Sequence, residues 1–288
     1  MTNEYLDKIP SLLKEVREKN PLTHCITNFV TVNDCANAVL AIGASPIMAE
    51  DVDEVEEIVN IANALVVNIG TLNHQQIESM KVSSAQANKT NTPITLDPVG
   101  VGVSKLRNET TIDLIKNYNP AVIRGNITEI KSISQLFNLI DETNTAKGVD
   151  ACDDDAITQN NLKANGEIIR KTAEKLNTVI LASGPIDILS DGKTTIAIYG
   201  GDEMMPLITG SGCMLSAIVG GCVGATTPFE GVLLAILAMN KAGEKARAKV
   251  NENKSGTGSF RTFLIDALYN TDAEELKSES KIEILWKI

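Results

Sequence analysis

The segment TGSGC at residues 209–213 is the part of the sequence best suited to bind an anion. Gly210 and Gly212 carry no side chain, so the backbone can approach a ligand closely. A helix of small residues is predicted to begin here, and a helix start presents free N–H groups at the positive end of its dipole. These properties suit a phosphoryl group in transfer, because its charge spreads over peripheral oxygens. The alternative is a tight strand-to-helix turn that binds nothing.

A second candidate is the segment RGNITE at residues 124–129. Arg124 ends an apolar strand, so its guanidinium should protrude beyond that strand, where it could clamp a phosphate. Asn126 and Glu129 have the spacing of a capping box, which is a purely structural arrangement. In the functional interpretation, Glu129 instead lies near the phosphates as an outer-shell ligand of Mg²⁺, usually through water. Alone, the Asn126–Glu129 spacing favours capping; Arg124 shifts the balance towards a site.

A third candidate is Asp97, which ends another apolar strand and precedes the sequence PVGVG. The segment lacks the G-x-G-x-x-G spacing of dinucleotide-binding turns and has a proline in the turn, which excludes an NAD site. A carboxylate beside a flexible glycine loop could hold Mg²⁺ or orient a substrate hydroxyl. The alternative is an ordinary Asx-Pro turn.

Other polar residues are interpreted as structural. His24 and His74 are the only histidines, and no third group can be identified that would make His24 and Cys25 a catalytic pair. Met48 would ordinarily be a core residue. The acidic runs at residues 50–54 and 153–155 are typical of a helix first turn and a solvated loop.

The elements that must position these residues alternate between apolar strands and helices. Helices are predicted over residues 4–19 (beginning near Pro10), up to Ala41, over 52–62, up to Lys89, from Ile127 and throughout the last third from Cys213. Strands are predicted at residues 22–28, 44–48, 64–69, 93–97, 121–124, 178–182 and 194–199. Runs such as ALVVNI are apolar throughout, which is typical of strands buried on both faces. The alternation predicts βαβ crossovers, a mostly parallel sheet and a single domain over residues 1–288, with residues 141–165 as a polar surface excursion.

Four polar residues end predicted strands of this sheet: Asn28, Asp97, Arg124 and Ser183. Ligands of open parallel sheets bind beyond the carboxyl ends of the strands. We therefore expect these four side chains to gather along one edge.

Composition narrows the class of protein. The net charge of −11 argues against nucleic acid as a main partner, since phosphate backbones are bound by basic faces. The five cysteines include no C-x-x-C pair, so neither a disulfide framework nor a zinc site is indicated. No run of about 18 apolar residues and no targeting segment is found, which predicts a cytoplasmic protein that does not span a membrane.

Eight segments, in this order, resemble the hydroxyethylthiazole kinase family: HCITNFVT, GASPIMAE, NIGTL, LDPVGVG, IRGNITEI, KGVD, TGSGC and GTGSF. The resemblance extends from about Leu22 to Leu268. It implies a three-layer α/β/α ribokinase-like fold and transfer of the γ-phosphoryl group of ATP to the hydroxyl of 4-methyl-5-(2-hydroxyethyl)thiazole. It also implies a homotrimer with active sites between neighbouring subunits.

The resemblance further implies a role for each site residue. The thiazole would be contacted by Met48 (in the pocket of an adjacent subunit), Asn28, Gly70 and Gly210. ATP would be contacted by Arg124, Ser183 and Asn126, and Asp97 and Glu129 would organise Mg²⁺ and the phosphates. Ser183 stands where many members carry threonine, which keeps the hydroxyl.

Cys213 stands where other ribokinase-like enzymes place an aspartate base. A helix start lowers the pKa of a thiol, so a thiolate is expected there. Because phosphoryl transfer asks little of a base, the hypothesis is that Gly210, Gly212, Arg124 and Mg²⁺ do most of the catalysis, with Cys213 a weak base.

Three alternatives remain. The first is a kinase for another vitamin precursor, such as hydroxymethylpyrimidine, and the second is a non-catalytic binder of thiazole or nucleotide. The third is the dehydratase or epimerase branch of the fold, which gives no reason for the segment GASPIMAE.

Overall fold

The computed structural model describes residues 3–140 and 156–287. Its helices are α1 (Asn3–Leu6), α2 (Ile9–Lys19), α3 (Val32–Ile42), α4 (Val55–Ile61), α5 (His74–Thr90), α6 (Lys105–Tyr118), α7 (Ile127–Leu136), α8 (Leu162–Leu176), α9 (Ser211–Val223), α10 (Pro228–Asn253), α11 (Thr257–Tyr269) and α12 (Ala273–Glu279). Its strands are β1 (Leu22–Ile26), β2 (Ser45–Ile47), β3 (Ala64–Asn68), β4 (Ile94–Asp97), β5 (Val122–Asn126), β6 (Val179–Ser183), β7 (Asp187–Ser190), β8 (Thr194–Tyr199) and β9 (Lys281–Lys287).

The strands form one sheet in the order β2-β1-β3-β4-β5-β6-β7-β8-β9. Strands β1 to β6 are parallel, whereas β7, β8 and β9 extend the sheet with antiparallel pairings. The register sets Asn68 beside Asp97 and Asn126 beside Ser183. Polar residues at the carboxyl ends of neighbouring strands are therefore brought to one edge.

Helices cover both faces of the sheet, so the strands are buried on each side. One apolar cluster joins α2, α3, α9, α10 and α11 to the face that carries Val66 and Leu181. The other joins α4 to α8 to the face that carries Leu65, Val67 and Ile180. Successive side chains of a strand point to opposite faces, which is why β3 must be apolar throughout. The mostly parallel sheet predicted from the alternation and the three-layer α/β/α arrangement implied by the resemblance are both confirmed.

Several predicted elements are confirmed with small shifts of their ends. Pro10 lies in the first turn of α2, where its missing N–H group costs no hydrogen bond. The strand predicted at residues 194–199 is β8, although its pairings are antiparallel.

Two predictions about elements are wrong, and other elements, among them α6 and β7, were not predicted. The last third is not helical throughout, because residues 281–287 form β9. The four-residue strand β7 was not expected. The polar excursion predicted at 141–165 ends earlier, because α8 begins at Leu162 and buries Ile169. Residues 141–155, with the segment KGVD, lie outside the described residues.

Both edges of the sheet are protected. Strand β2 has only three residues, one of which is Pro46. Strand β9 exposes Lys281, Glu283 and Lys287 along the opposite edge. Short length, proline and charge each discourage a further strand from adding to an edge.

Candidate active site

The polar residues that end the parallel strands lie together, as predicted. Asn28 donates a hydrogen bond from Nδ2 to Oδ1 of Asn68 at 3.2 Å, and Asn68 donates from Nδ2 to Oδ2 of Asp97 at 2.8 Å. Arg124 lies 3.8 Å from the same Asp97 oxygen and donates to Oγ of Ser183 at 2.5 Å. The four residues expected from the sequence thus form one connected polar row, with Asn68 as an additional member.

Arg124 is the central cation of this row. Its side chain is only 11% exposed, and its Nε has no hydrogen-bond partner. A β-carbon placed on Gly212 would lie 2.6 Å from one of its terminal nitrogens, so the guanidinium rests directly against the start of α9. A buried guanidinium with an unused donor beside a helix start is suited to bind an anion.

The helix start itself has the predicted form. Gly210 adopts φ +85°, a left-handed conformation that favours glycine, and no side chain caps α9. A β-carbon on Gly210 would collide with the side chain of Thr31. The segment before it is a 3₁₀ turn, Met205–Leu207, which begins a compact connection into the helix.

Cys213 faces the polar row, and its Sγ accepts a hydrogen bond from Nδ2 of Asn28 at 3.1 Å. Burial raises the pKa of the Cys213 thiol, and the nearby carboxylate of Asp97 raises it further. The expectation that the helix start lowers this pKa is therefore wrong. Desolvation and the neighbouring carboxylate both disfavour the thiolate.

Two buried carboxyl groups lie beside Arg124. Asp97 accepts hydrogen bonds on Oδ2 from Asn68 and from Oγ of Ser216, while its buried Oδ1 has no partner. Burial raises the pKa of Asp97 above its usual value, which Arg124 partly offsets. Burial, and then the negative charge of Asp97, raises the pKa of Glu129 to about 7.

The capping box predicted for Asn126 and Glu129 is confirmed in both directions. Glu129 accepts from the backbone N–H of Asn126 on Oε2 at 2.7 Å and from that of Gly100 on Oε1 at 2.8 Å. Glu129 therefore also ties the glycine loop after Asp97 to α7. Both of its oxygens are engaged, so a cation would reach it most readily through water.

The carboxylate oxygens of Asp97 and Glu129 fit a magnesium ion that is held mainly by phosphate and water. Within residues 3–140 and 156–287, no group of three or more histidine, cysteine, aspartate or glutamate residues could hold a metal by itself. Mg²⁺ usually keeps several waters and binds one or two carboxylates together with substrate phosphates. The unpartnered Oδ1 of Asp97 is a suitable first ligand for such an ion.

Gly70 lies beside Asn28, and Met48 follows β2, the edge strand beside β1. The N–H of Gly70 donates to Oδ1 of Asn68 at 2.9 Å, and a β-carbon on Gly70 would lie 2.9 Å from Nδ2 of Asn28. Met48 is half-buried and packs against the apolar core. The next residue, Ala49, accepts a hydrogen bond from Nε2 of the buried His24, which has the structural role predicted for it.

Sequence reasoning missed Arg107, which joins two loops of the site. Its guanidinium donates to the carbonyl oxygens of Ile69 at 2.7 Å, Gly70 at 2.9 Å and Val99 at 2.5 Å. These carbonyls belong to the turn after β3 and the loop after β4. Nothing near Arg107 in the sequence indicates this contact, since the residue lies in the first turn of α6.

Comparison with known proteins finds relatives that match nearly the whole chain. The sequence model described as the hydroxyethylthiazole kinase family matches residues 13–274. A hydroxyethylthiazole kinase of Methanobrevibacter smithii is 67% identical over 287 residues, which is 99% of this chain and 100% of the relative.

Solved structures support the same relationship. A hydroxyethylthiazole kinase protein from Pyrococcus horikoshii superposes with a TM-score of 0.83 at 33% identity, covering 96% of this chain and 99% of that one. The pyridoxal kinase of Staphylococcus aureus, in complex with AMP-PCP and pyridoxal, has a TM-score of 0.54 at 13% identity, covering 78% of this chain and 87% of that chain. The second likeness concerns the fold alone. A ribokinase-like superfamily protein from Enterococcus faecalis, at 12% identity and a TM-score of 0.55 over 86% of this chain and 87% of its own, identifies that fold as ribokinase-like.

Proposed function

The chain belongs to the hydroxyethylthiazole kinase family, and from this premise we propose that it phosphorylates 4-methyl-5-(2-hydroxyethyl)thiazole with ATP in thiamine salvage. One observation carries the proposal: the glycine-flanked start of α9 meets Arg124, and beside Arg124 lie two buried acids, Asp97 at the end of β4 and Glu129 in the first turn of α7. Such a convergence of N–H groups, one cation and carboxylates is suited to a polyphosphate with its metal ion. A protein that only binds thiazole would have no use for the buried acids.

The residues of the chain divide the work of phosphoryl transfer. Arg124 and Ser183 hold the ATP phosphates, with Asn126 beside them, and the N–H groups at Gly210 to Gly212 stabilise charge on the transferring group. Asn28, Gly70 and Gly210 line the pocket for the thiazole alcohol. Because the transition state is loose, the alcohol can keep its proton until late and then pass it to an oxygen of the transferred phosphoryl group, so Cys213 need not act as a strong base.

Mg²⁺ is part of the proposal, with Asp97 as its first protein ligand and Glu129 acting through water. When bound, the ion neutralises charge on the phosphate oxygens. The unpartnered Oδ1 of Asp97 supports this assignment.

A homotrimer with shared active sites is the proposed assembly. Two observations support it: Met48 follows the edge strand β2, and Phe29, directly after Asn28, is 77% exposed. Val30 and Val32 are exposed as well, and a run of exposed apolar side chains beside a site is typical of a surface covered by another subunit. We place Met48 in the thiazole pocket of the neighbouring subunit.

We further propose one kinase domain over residues 1–288 and a cytoplasmic location. No helix among residues 3–140 and 156–287 is long and apolar enough to cross a membrane. The four described cysteines are free thiols, which suits a reducing compartment where ATP is plentiful.

The test of the proposed function is an assay with ATP, Mg²⁺ and the thiazole alcohol, followed by mass detection of the phosphate ester. Hydroxymethylpyrimidine under the same conditions is the matched comparison. We expect the thiazole ester as the main product. Preferential phosphorylation of the pyrimidine would favour the alternative kinase, and tight thiazole binding without ADP release would favour a binding protein.

Arg124→Ala tests the nucleotide assignment. We expect the KM for ATP to rise more than the KM for the thiazole, because in the proposed site the guanidinium contacts the phosphates of ATP and does not contact the thiazole. Arg170→Ala is the matched control, since Arg170 pairs with Glu167 and Glu174 on the surface of α8. Equal changes in both KM values for Arg124→Ala would remove this residue from the nucleotide site.

A further inference from the structure

Asp187 is a buried acid that the site described above does not use. It opens β7, the first antiparallel strand, and is 3% exposed. Burial raises its pKa to about 6, although hydrogen bonds from Asn240 and Gly184, and the charge of Arg124, act in the opposite direction. A buried carboxyl group needs hydrogen-bond partners for its oxygens.

One oxygen of Asp187 holds the turn that carries Ser183. Its Oδ1 accepts from the backbone N–H of Gly184 at 3.0 Å, within the short connection from β6 to β7. Ser183 immediately precedes Gly184 and binds Arg124. The Asp187 carboxyl therefore holds the residue next to Ser183, which is assigned to the nucleotide.

The other oxygen joins this turn to α10. Asp187 Oδ2 accepts from Nδ2 of Asn240 at 2.8 Å, and Asn240 is itself buried. A β-carbon on Gly200 would lie 3.3 Å from Cβ of Asn240, and one on Gly201 would lie 3.3 Å from its Oδ1. Gly200 and Gly201, both at positive φ, begin the connection from β8 to the start of α9.

The pair therefore links the two segments that flank the proposed nucleotide site. On one side is the Ser183–Gly184 turn, and on the other is the connection that leads to Gly210. Asn28 and Gly70, assigned to the thiazole, are joined to the site through Asn68 and have no hydrogen bond to either residue in the part of the chain that the structure describes. Loss of the pair should therefore affect the two substrates differently.

We propose that Asp187, held by Asn240, is a positioning residue that fixes the Ser183–Gly184 turn for ATP. The proposal rests on the proposed function, because it assumes that this turn contacts the nucleotide. Asp187 touches neither substrate. It determines the affinity for the nucleotide and leaves that for the acceptor alcohol unchanged.

The test compares Asp187→Ala and Asp187→Asn in the full-length protein. Asp187→Ala removes both hydrogen bonds, and we expect the KM for ATP and the Kd for ADP to rise about tenfold, the loss typical of a hydrogen bond to a charged group. The KM for the thiazole should stay within about twofold. Asp187→Asn keeps an acceptor for Gly184, and the amide of Asn240 can rotate to match it, so most of the ATP affinity should return.

Asp191→Ala is the matched control. Asp191 lies just after the other end of β7 and accepts from the N–H groups of Lys193 and Thr194, so it holds a turn far from the strand-end edge. We expect it to lower the Tm without changing the KM for ATP. An unchanged KM for ATP in Asp187→Ala, an equal rise for both substrates, or the same rise in Asp191→Ala would each overturn the proposal.

The two proposals fail differently. If the unmodified protein produces no thiazole phosphate, the proposed function is wrong, while ADP binding measured by calorimetry still compares the variants. If the unmodified protein is active and Asp187→Ala binds ADP as well as the unmodified protein does, only the positioning role is wrong. If Asp187→Ala does not fold, Asn240→Ala takes its place, since it removes the hydrogen bond to Asp187 Oδ2. A rise in the KM for ATP alone then supports the proposal, and unchanged values or an equal rise for both substrates contradict it.

Discussion

Cys213 illustrates how the surroundings of a residue decide its chemistry. Its position at the start of a helix predicts a thiolate, yet burial and Asp97 raise the pKa of the thiol. To act as a base, the Cys213 thiol would first have to lose its own proton next to the carboxylate of Asp97. The structure therefore favours charge stabilisation by Arg124 and the helix start over base catalysis.

Replacing Cys213 tests that balance. We expect Cys213→Ser and Cys213→Asp each to lower kcat by less than about a hundredfold, because a hydroxyl or carboxylate oxygen can still accept the hydrogen bond from Asn28. Cys222→Ser, on the buried end of the same helix, is the control for effects on stability. A loss greater than about 10⁴-fold in both Cys213 variants would make the thiol indispensable.

Individual site residues were predictable where a polar side chain ends an apolar strand. This signal identified Asn28, Asp97, Arg124 and Ser183. The same signal could have identified Asn68, which ends β3 but was included in the apolar run ALVVNI. Asp187 and Asn240 could not be paired from the sequence, because 53 positions separate them and only the packing of α10 on β7 brings them together.

At the scale of elements, the contact between α9 and β5 determines the site. Gly212 is the residue that permits it, since a β-carbon there would lie 2.6 Å from Arg124. The helix start and the guanidinium can thus approach a single anion from two sides.

Gly212→Ala should displace Arg124 while leaving the fold intact, because the obstructed atoms are at the far end of a flexible side chain. We expect kcat/KM for ATP to fall at least tenfold and the Tm to change little. Gly258→Ala is the matched control, since a β-carbon on Gly258 would meet nothing within 4 Å. Wild-type kinetics for Gly212→Ala would show that Arg124 need not touch the helix start.

The parallel strands were predictable because burial on both faces makes them apolar throughout, whereas the antiparallel extension was less visible. Strand β7 has only four residues, two of them polar. Strand β9 alternates Lys281, Ile282, Glu283 and Ile284, a period of two that could have identified it. The start of α8 is hard to recognise in the sequence, because it contains polar residues and Gly166. Gly166 packs against Trp286 of β9. That glycine is required by tertiary contact, which local sequence does not show.

At the scale of the whole molecule, the proposed trimer predicts both a mass and a mixing effect. Sedimentation should give three times the 30.8 kDa of one chain. Met48→Glu and Arg124→Ala should each be much less active than the unmodified protein at fixed substrate concentrations, yet activity should recover when the two are unfolded together and refolded, because some mixed sites then receive an intact residue from each subunit. A monomer, or mixtures that stay inactive, would contradict shared sites.

The protected edges of the sheet affect how the protein aggregates and how it is lost on heating. A sheet of nine strands has two places where a foreign strand could attach, and these are occupied by the proline-bearing β2 and the charged β9. Templated growth of fibrils from the native state should therefore be slow, even in concentrated solutions. Loss of the protein on heating should begin with unfolding of the chain.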